Sequence, residues 1–254
     1  MGIFNFIYNS YKTSVNQEIF NAICRKNKIK LDYETNKNDI HILKEIFETR
    51  FYSDYFPFYE KATILDIGGH KGYFSIFSSL NLDEKSKIIS LEPFEKSCND
   101  LLTNLKSNNI NNVILEKLGI YSETAKIDLY LNKSENNSIF KDYNSFLLND
   151  KDTDIIKIDV ITLEDIIQKH NLKQIDFLKM DCEGAEYPAI LSTNKKTFDK
   201  IKVISMGFHD LKTKDYTGLK IVNHLEKNGF YIFRFAHYPT TINNNYGRII
   251  AIKK

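Results

Sequence analysis

The sequence predicts an α/β protein: a Rossmann-like, doubly wound parallel sheet preceded by N-terminal helices. Three observations carry this. From Thr63 onward, short apolar runs alternate with helical periodicity, the pattern of repeated strand–helix units. A glycine-rich turn containing Gly68, Gly69 and Gly72 joins the first run to the first helix. The chain ends on two β-like runs separated by the turn-rich "TTINNNYG", which reads as an antiparallel hairpin closing the sheet edge.

Residues 1–60 read as a helical segment and 61–254 as the main domain. In "DIHILKEIFETRFYSDYF", Ile42, Ile46 and Phe47 fall near one helical face, and Pro57 punctuates the end. "TILDIG" is a short buried strand and "YFSIFSSL" the helix after it. "KIISLEP" is a second strand, followed by the helix "SCNDLLTNLKSN". "VILEKLGI" is the third strand. Around 121–162 the texture changes to β-like runs, "KIDLYL" and "IIKIDVITL", flanking the polar "NKSENNSIFKDYNSF". This predicts a β insertion whose polar part forms a mobile flap over a cleft. "LEDIIQKH" is helical, and the strands "IDFLKMD" and "KVISMGF" bracket a helix around "AEYPAILS". In the next helix, "GLKIVNHLEKNG", Leu219, Val222 and Leu225 share a side and Gly229 suits the C-terminal cap.

Composition excludes some function classes. Lys and Arg number 35 against 33 Asp and Glu, a formal net charge of +2. Such a balance gives no electrostatic reason to expect nucleic acid or an anionic membrane as partner. Cys24, Cys98 and Cys182 are odd in number and far apart, which speaks against a disulfide framework and for a reducing, cytoplasmic setting. "MGIFNFIYNSYK" is apolar but short and lacks a basic start, unlike a signal peptide. Phe6 stands where a myristoylation signal wants Ser or Thr. No apolar run approaches membrane-spanning length, so no membrane insertion is expected.

The first turn reads "ILDIGGHKGYF". A strand running into a Gly-rich turn and a helix suits an adenosine-containing ligand. The spacing is D-x-G-x-x-x-G rather than G-x-G-x-x-G. An acid at Asp66 would repel a pyrophosphate and favour a cationic ligand, and S-adenosylmethionine carries a sulfonium and an ammonium. Gly68, Gly69 and Gly72 would let the backbone approach it. Glu92 ends the second strand, placed to bind ribose hydroxyls. Gly119 ends the third run, where adenine would lie.

Asp66-x-Gly68, Glu92-Pro93-Phe94 and "DFLKMDCEGAEY" together resemble the FkbM-type methyltransferases. The resemblance covers roughly 60–235, and "FLKMDCEGAE" is its most distinctive piece. It implies a class I methyltransferase fold with seven strands, the last antiparallel. It also implies S-adenosylmethionine as donor and transfer to a hydroxyl oxygen of a sugar or natural product, hence a small-molecule or glycan acceptor. A hydroxyl needs a base to attack a methyl carbon. Asp181, Glu183 and His209 are the candidates, with Asp181 also near the donor. Glu186, one turn into the following helix, reads as structural. No metal ligand set is assigned. Gly207 stands in "ISMGFHD" where the resemblance implies an acid. Two other readings stay open: a nucleotide-dependent oxidoreductase or epimerase, and a non-catalytic module that keeps the ligand.

Overall fold

The computed structural model describes residues 16–31, 37–132, 137–141, 154–210, 215–239 and 245–254. Its centre is a seven-stranded sheet. In chain order the strands are β1 (Thr63–Ile67), β2 (Lys87–Leu91), β3 (Val113–Glu116), β7 (Ile175–Met180), β8 (Ile201–Asp210), β9 (Phe230–Pro239) and β10 (Asn245–Lys253). In space they run β3-β2-β1-β7-β8-β10-β9. β1 pairs in parallel with both β2 and β7, and β10 is antiparallel to both β8 and β9. The order therefore reverses between β1 and β7, and a crevice opens beyond the carboxyl ends of these strands. The seven strands and the antiparallel last strand are as the sequence led us to expect.

Side chains alternate across the sheet with period two. Ile64, Ile88 and Phe177 point to one face, shared with α1 (16–27), α2 (Lys37–Leu43), α3 (Tyr73–Asn81) and α4 (Glu95–Ser107). Leu65, Ile89 and Leu178 point to the other, covered by α5 (Leu163–Lys169), α6 (Glu186–Ser192) and α8 (Gly218–Lys227), with the short α7 (Lys195–Phe198) beside them. Caps set several ends: Thr162 Oγ1 accepts from Asp165 N–H, Asn194 Oδ1 accepts from Thr197 N–H, and Gly229 turns the chain at φ +86° after α8.

Three local expectations are corrected. The run "VILEKLGI" is not one strand. It breaks where Leu118 N–H bonds back to Glu116 O, and β4 (Gly119–Ile120) joins a separate three-stranded sheet, β4-β6-β5. There β5 (Ala125–Tyr130) and β6 (Ile155–Ile161) pair antiparallel, so the β insertion is present. The helix leading toward Pro57 ends earlier: α2 passes into a π-helical turn, Lys44–Glu48, and Arg50 at φ +52° stops it. In α8 the buried stripe is Gly218, Ile221, Val222 and Leu225, because a 3.6-residue period turns Leu219 off that face. Of the expected flap, 133–136 and 142–153 lie outside the described residues. Among the described residues, no helix is long and apolar enough to cross a membrane.

Candidate active site

A cavity lies at the carboxyl ends of β1, β2 and β7, closed by β4 and by the segment after α2. The glycine turn forms its floor. Gly68 and Gly69 N–H both donate to Leu91 O, at 3.0 and 2.9 Å. Gly68 sits at φ +75°, and a Cβ there would lie 1.8 Å from Asp181 O, so only glycine fits. Gly72 lies outside the lining and starts α3 at φ +84°. Glu92 is 8% exposed and lines the cavity. Its Oε2 accepts from His70 N–H (2.8 Å) and its Oε1 from Phe94 N–H (2.9 Å). Burial pushes this carboxyl up, against the pull of His70 and those N–H groups. Gly119 lines the cavity beside Val160 and Ile158.

Asp66 has a different place from the one expected. It is fully buried and outside the lining. It stands in register with Lys179 on the neighbouring strand, under α3, because the pleat turns both side chains to that face. Lys179 Nζ is 3.2 Å from Asp66 Oδ1, and Ser75 Oγ donates to Asp66 Oδ2 at 2.7 Å. Burial lowers the Lys179 pKa, but Asp66 and Asp181 raise it further, so the amine stays charged. Lys179 Nζ also donates to Gly68 O at 2.8 Å. The pair thus holds the glycine turn from below, and its charge is spent internally. Losing one partner of such a pair costs about 3–5 kcal/mol.

The acidic turn "DCEGAE" follows β7 directly. Asp181 and Glu183 line the cavity. Glu186 is fully buried and accepts from Cys182 N–H at 2.9 Å and Gly184 N–H at 2.7 Å, so it knits the turn. His209 lies outside the lining, with Nδ1 3.3 Å from Glu186 Oε1 and Nε2 3.5 Å from Glu183 Oε2. Burial disfavours its charge, yet Glu183 and Glu186 outweigh this and push it up to about 10. Burial likewise raises Glu186, while His209 and the backbone donors bring it below the ordinary carboxyl value. His209 therefore holds its proton at neutral pH, between two carboxylates. Asp181, Glu186 and His209 each bring one ligand atom within 4.8 Å of the others. Glu186 and His209 are paired with one another at 3.3 Å, and with the two backbone N–H groups on Glu186 they clamp the turn.

Sequence reasoning missed Glu45 and Ile46, which line the cavity from the N-terminal segment, and held Tyr52 only as one of the aromatic run "RFYSDYFPFY" that could line an acceptor pocket; Tyr52 lines the cavity too. It also passed over Lys179, although this residue stood in the quoted motif. Tyr73 lines the cavity as well. Lys71 instead turns away from it: its Nζ pairs with buried Asp39 at 2.9 Å and fastens α2 to the glycine turn. Tyr187 donates to Asp210 Oδ1 at 2.8 Å, outside the lining.

The methyltransferase FkbM domain matches residues 66–232. The chain is 27% identical over 203 residues to "Methyltransferase 1" of Beauveria bassiana (strain ARSEF 2860), covering 74% of this chain and 80% of that protein. Among solved structures it is similar to the methyltransferase domain of METTL16, with TM-score 0.51 and 10% identity over 94% of this chain and 79% of that one. It is also similar to an rRNA methylase from Streptococcus thermophilus, with TM-score 0.50 and 12% identity over 82% of this chain and 95% of that one. At these identities the two structures speak to the fold alone.

Proposed function

The chain belongs to the FkbM family of methyltransferases, and from that membership and the cavity we propose that it moves a methyl group from S-adenosylmethionine to a hydroxyl oxygen of a sugar or natural product. One observation carries the reading: the glycine turn, Glu92 and Asp181 meet in one cavity at the strand ends. The lining supports the donor. Glu45, Glu92, Asp181 and Glu183 bring carboxylates to it, while Lys179 is tied to Asp66. Cationic sulfonium and ammonium groups suit such a lining and a pyrophosphate does not. This charge argument replaces the one resting on Asp66.

Glu92 would hold ribose hydroxyls through the lone pairs that His70 and Phe94 leave free. Ile158 and Val160, packed at Gly119, would flank adenine. Bound there, S-adenosylmethionine supplies an electrophilic methyl carbon and departs as S-adenosylhomocysteine. Asp181 takes the proton from the acceptor hydroxyl and makes its oxygen a competent nucleophile. His209, already protonated, holds Glu183 and Glu186 in place. Cys24, Cys98 and Cys182 are all free thiols, which supports a reducing cytoplasm.

Thermal unfolding with S-adenosylmethionine, S-adenosylhomocysteine or NAD tests the reading. At 100 times Kd a ligand stabilises by about 2.7 kcal/mol, and for a chain this size that is roughly 5–10 °C in Tm. Both sulfur ligands should produce this shift. Stabilisation by NAD alone would favour the oxidoreductase reading.

A further inference from the structure

We propose that Tyr52 is a positioning residue for this reaction, reaching in from the N-terminal segment to fix the Asp181 carboxylate in room that Gly207 leaves open. Its purpose rests on the methyltransferase reading; its geometry does not. Tyr52 lies outside the matched span 66–232 and is 2% exposed. Its hydroxyl donates to Asp181 Oδ2 at 2.8 Å, and the Tyr246 hydroxyl is 3.5 Å from it. Burial and the Asp181 charge keep the proton on Tyr52, so it stays a donor.

The three groups surround Gly207. A Cβ there would stand 3.1 Å from Asp181 Oδ1, 3.3 Å from the Tyr246 ring and 3.5 Å from the Tyr52 hydroxyl. An acid at 207 would crowd this cluster and set a like charge beside Asp181. The glycine is therefore part of the arrangement rather than the loss of a catalytic group. The segment carrying Tyr52 is fastened in place. Asp54 Oδ2 lies 3.3 Å from both Arg248 and Arg234 on the terminal hairpin. The Arg248 guanidinium lies 4.6 Å over the Phe51 ring, and Phe51 stacks on Tyr246 at 5.9 Å.

The charged groups around Asp181 are Lys179 and His209, with Glu183 and Glu186 opposing them; Tyr52, Tyr246 and Cys182 are neutral donors. Against that fixed background, a hydrogen bond to the ionised carboxylate favours the ionised form. It also holds the carboxylate ready, so that no reorientation is needed during proton transfer.

The test is carbon NMR of the whole enzyme with labelled aspartate carboxyls, the Asp181 signal being identified by its loss in Asp181→Asn. Tyr52→Phe removes the donor and keeps the ring, and at constant pH the Asp181 carboxyl signal should then move, because the carboxylate loses its hydrogen bond. Gly207→Ala presses on the same contact from the other side and should move the signal by less. S-adenosylhomocysteine affinity should be unchanged in both. A merely structural Tyr52 would lower Tm and leave the Asp181 carboxyl signal where it was, and that result overturns the proposal. If Tyr52→Phe does not fold, Gly207→Ala decides on the same criterion. Failure of the parent to bind S-adenosylhomocysteine would strike the methyltransferase reading and leave the Tyr52–Asp181 contact standing.

Discussion

The two sides of the cavity are assembled differently. The side assigned to the donor draws Gly68, Gly69, Glu92 and Gly119 from one stretch of chain, the first three directly after strands and Gly119 opening β4. The side assigned to the acceptor draws Tyr52 and Asp181 from elements 129 positions apart, with Gly207 and Tyr246 from two further elements packed against them. Short-range backbone chemistry suffices for the first. The second exists only when the N-terminal segment, the acidic turn and the terminal hairpin pack together. A common donor grip with a separately built acceptor wall lets one fold serve several acceptors.

Asp181→Asn should separate the two sides most sharply. It keeps nearly the same shape and removes the charge, so turnover should fall by about 10²–10⁴-fold. S-adenosylhomocysteine affinity should fall far less, because Glu92 and the glycine turn are untouched. Turnover is read as S-adenosylhomocysteine release with a hydroxyl acceptor found by screening. Equal losses of turnover and donor affinity would mean that the two sides are not separable.

A smaller effect concerns the clamp behind the acidic turn. Folding raises His209 from 6.5 to about 10. Its contribution to stability is therefore fully present below about pH 6.5 and is lost as pH rises through about 10. The Tm difference between the parent and His209→Gln should shrink across that window. Glu186 acts in the opposite sense: its value is lowered, so its contribution is lost as pH falls through the acid range. A Tm difference that stays constant from pH 6.5 to 10 would show that the imidazolium is not clamped.

The same contrast explains what was legible in the sequence. The glycine turn and Glu92 could be read because strand, turn and helix are adjacent in the chain and their spacing is local. The strand–helix alternation gave the doubly wound sheet for the same reason. Asp66 was misread because its partner, Lys179, stands beside it only across the β1–β7 register. His209 read as a base because nothing in "ISMGFHD" reveals two carboxylates closing on it from another element. Tyr52 lay in the aromatic run "RFYSDYFPFY", which could line an acceptor pocket although helical spacing more often means core. Phe56 is indeed core, Tyr55 is exposed, and Tyr52 reaches the cavity; no local period distinguishes these fates.

The central claim is that the side built from Gly68 to Gly119 holds S-adenosylmethionine through Glu92. Calorimetric titration of S-adenosylhomocysteine into the parent and into Glu92→Ala tests it most directly. Removing hydrogen bonds to a charged group should weaken binding by about 1.5–3 kcal/mol, with the parent binding and NAD giving no heat. A Glu92→Ala enzyme that binds S-adenosylhomocysteine as tightly as the parent would contradict the assignment.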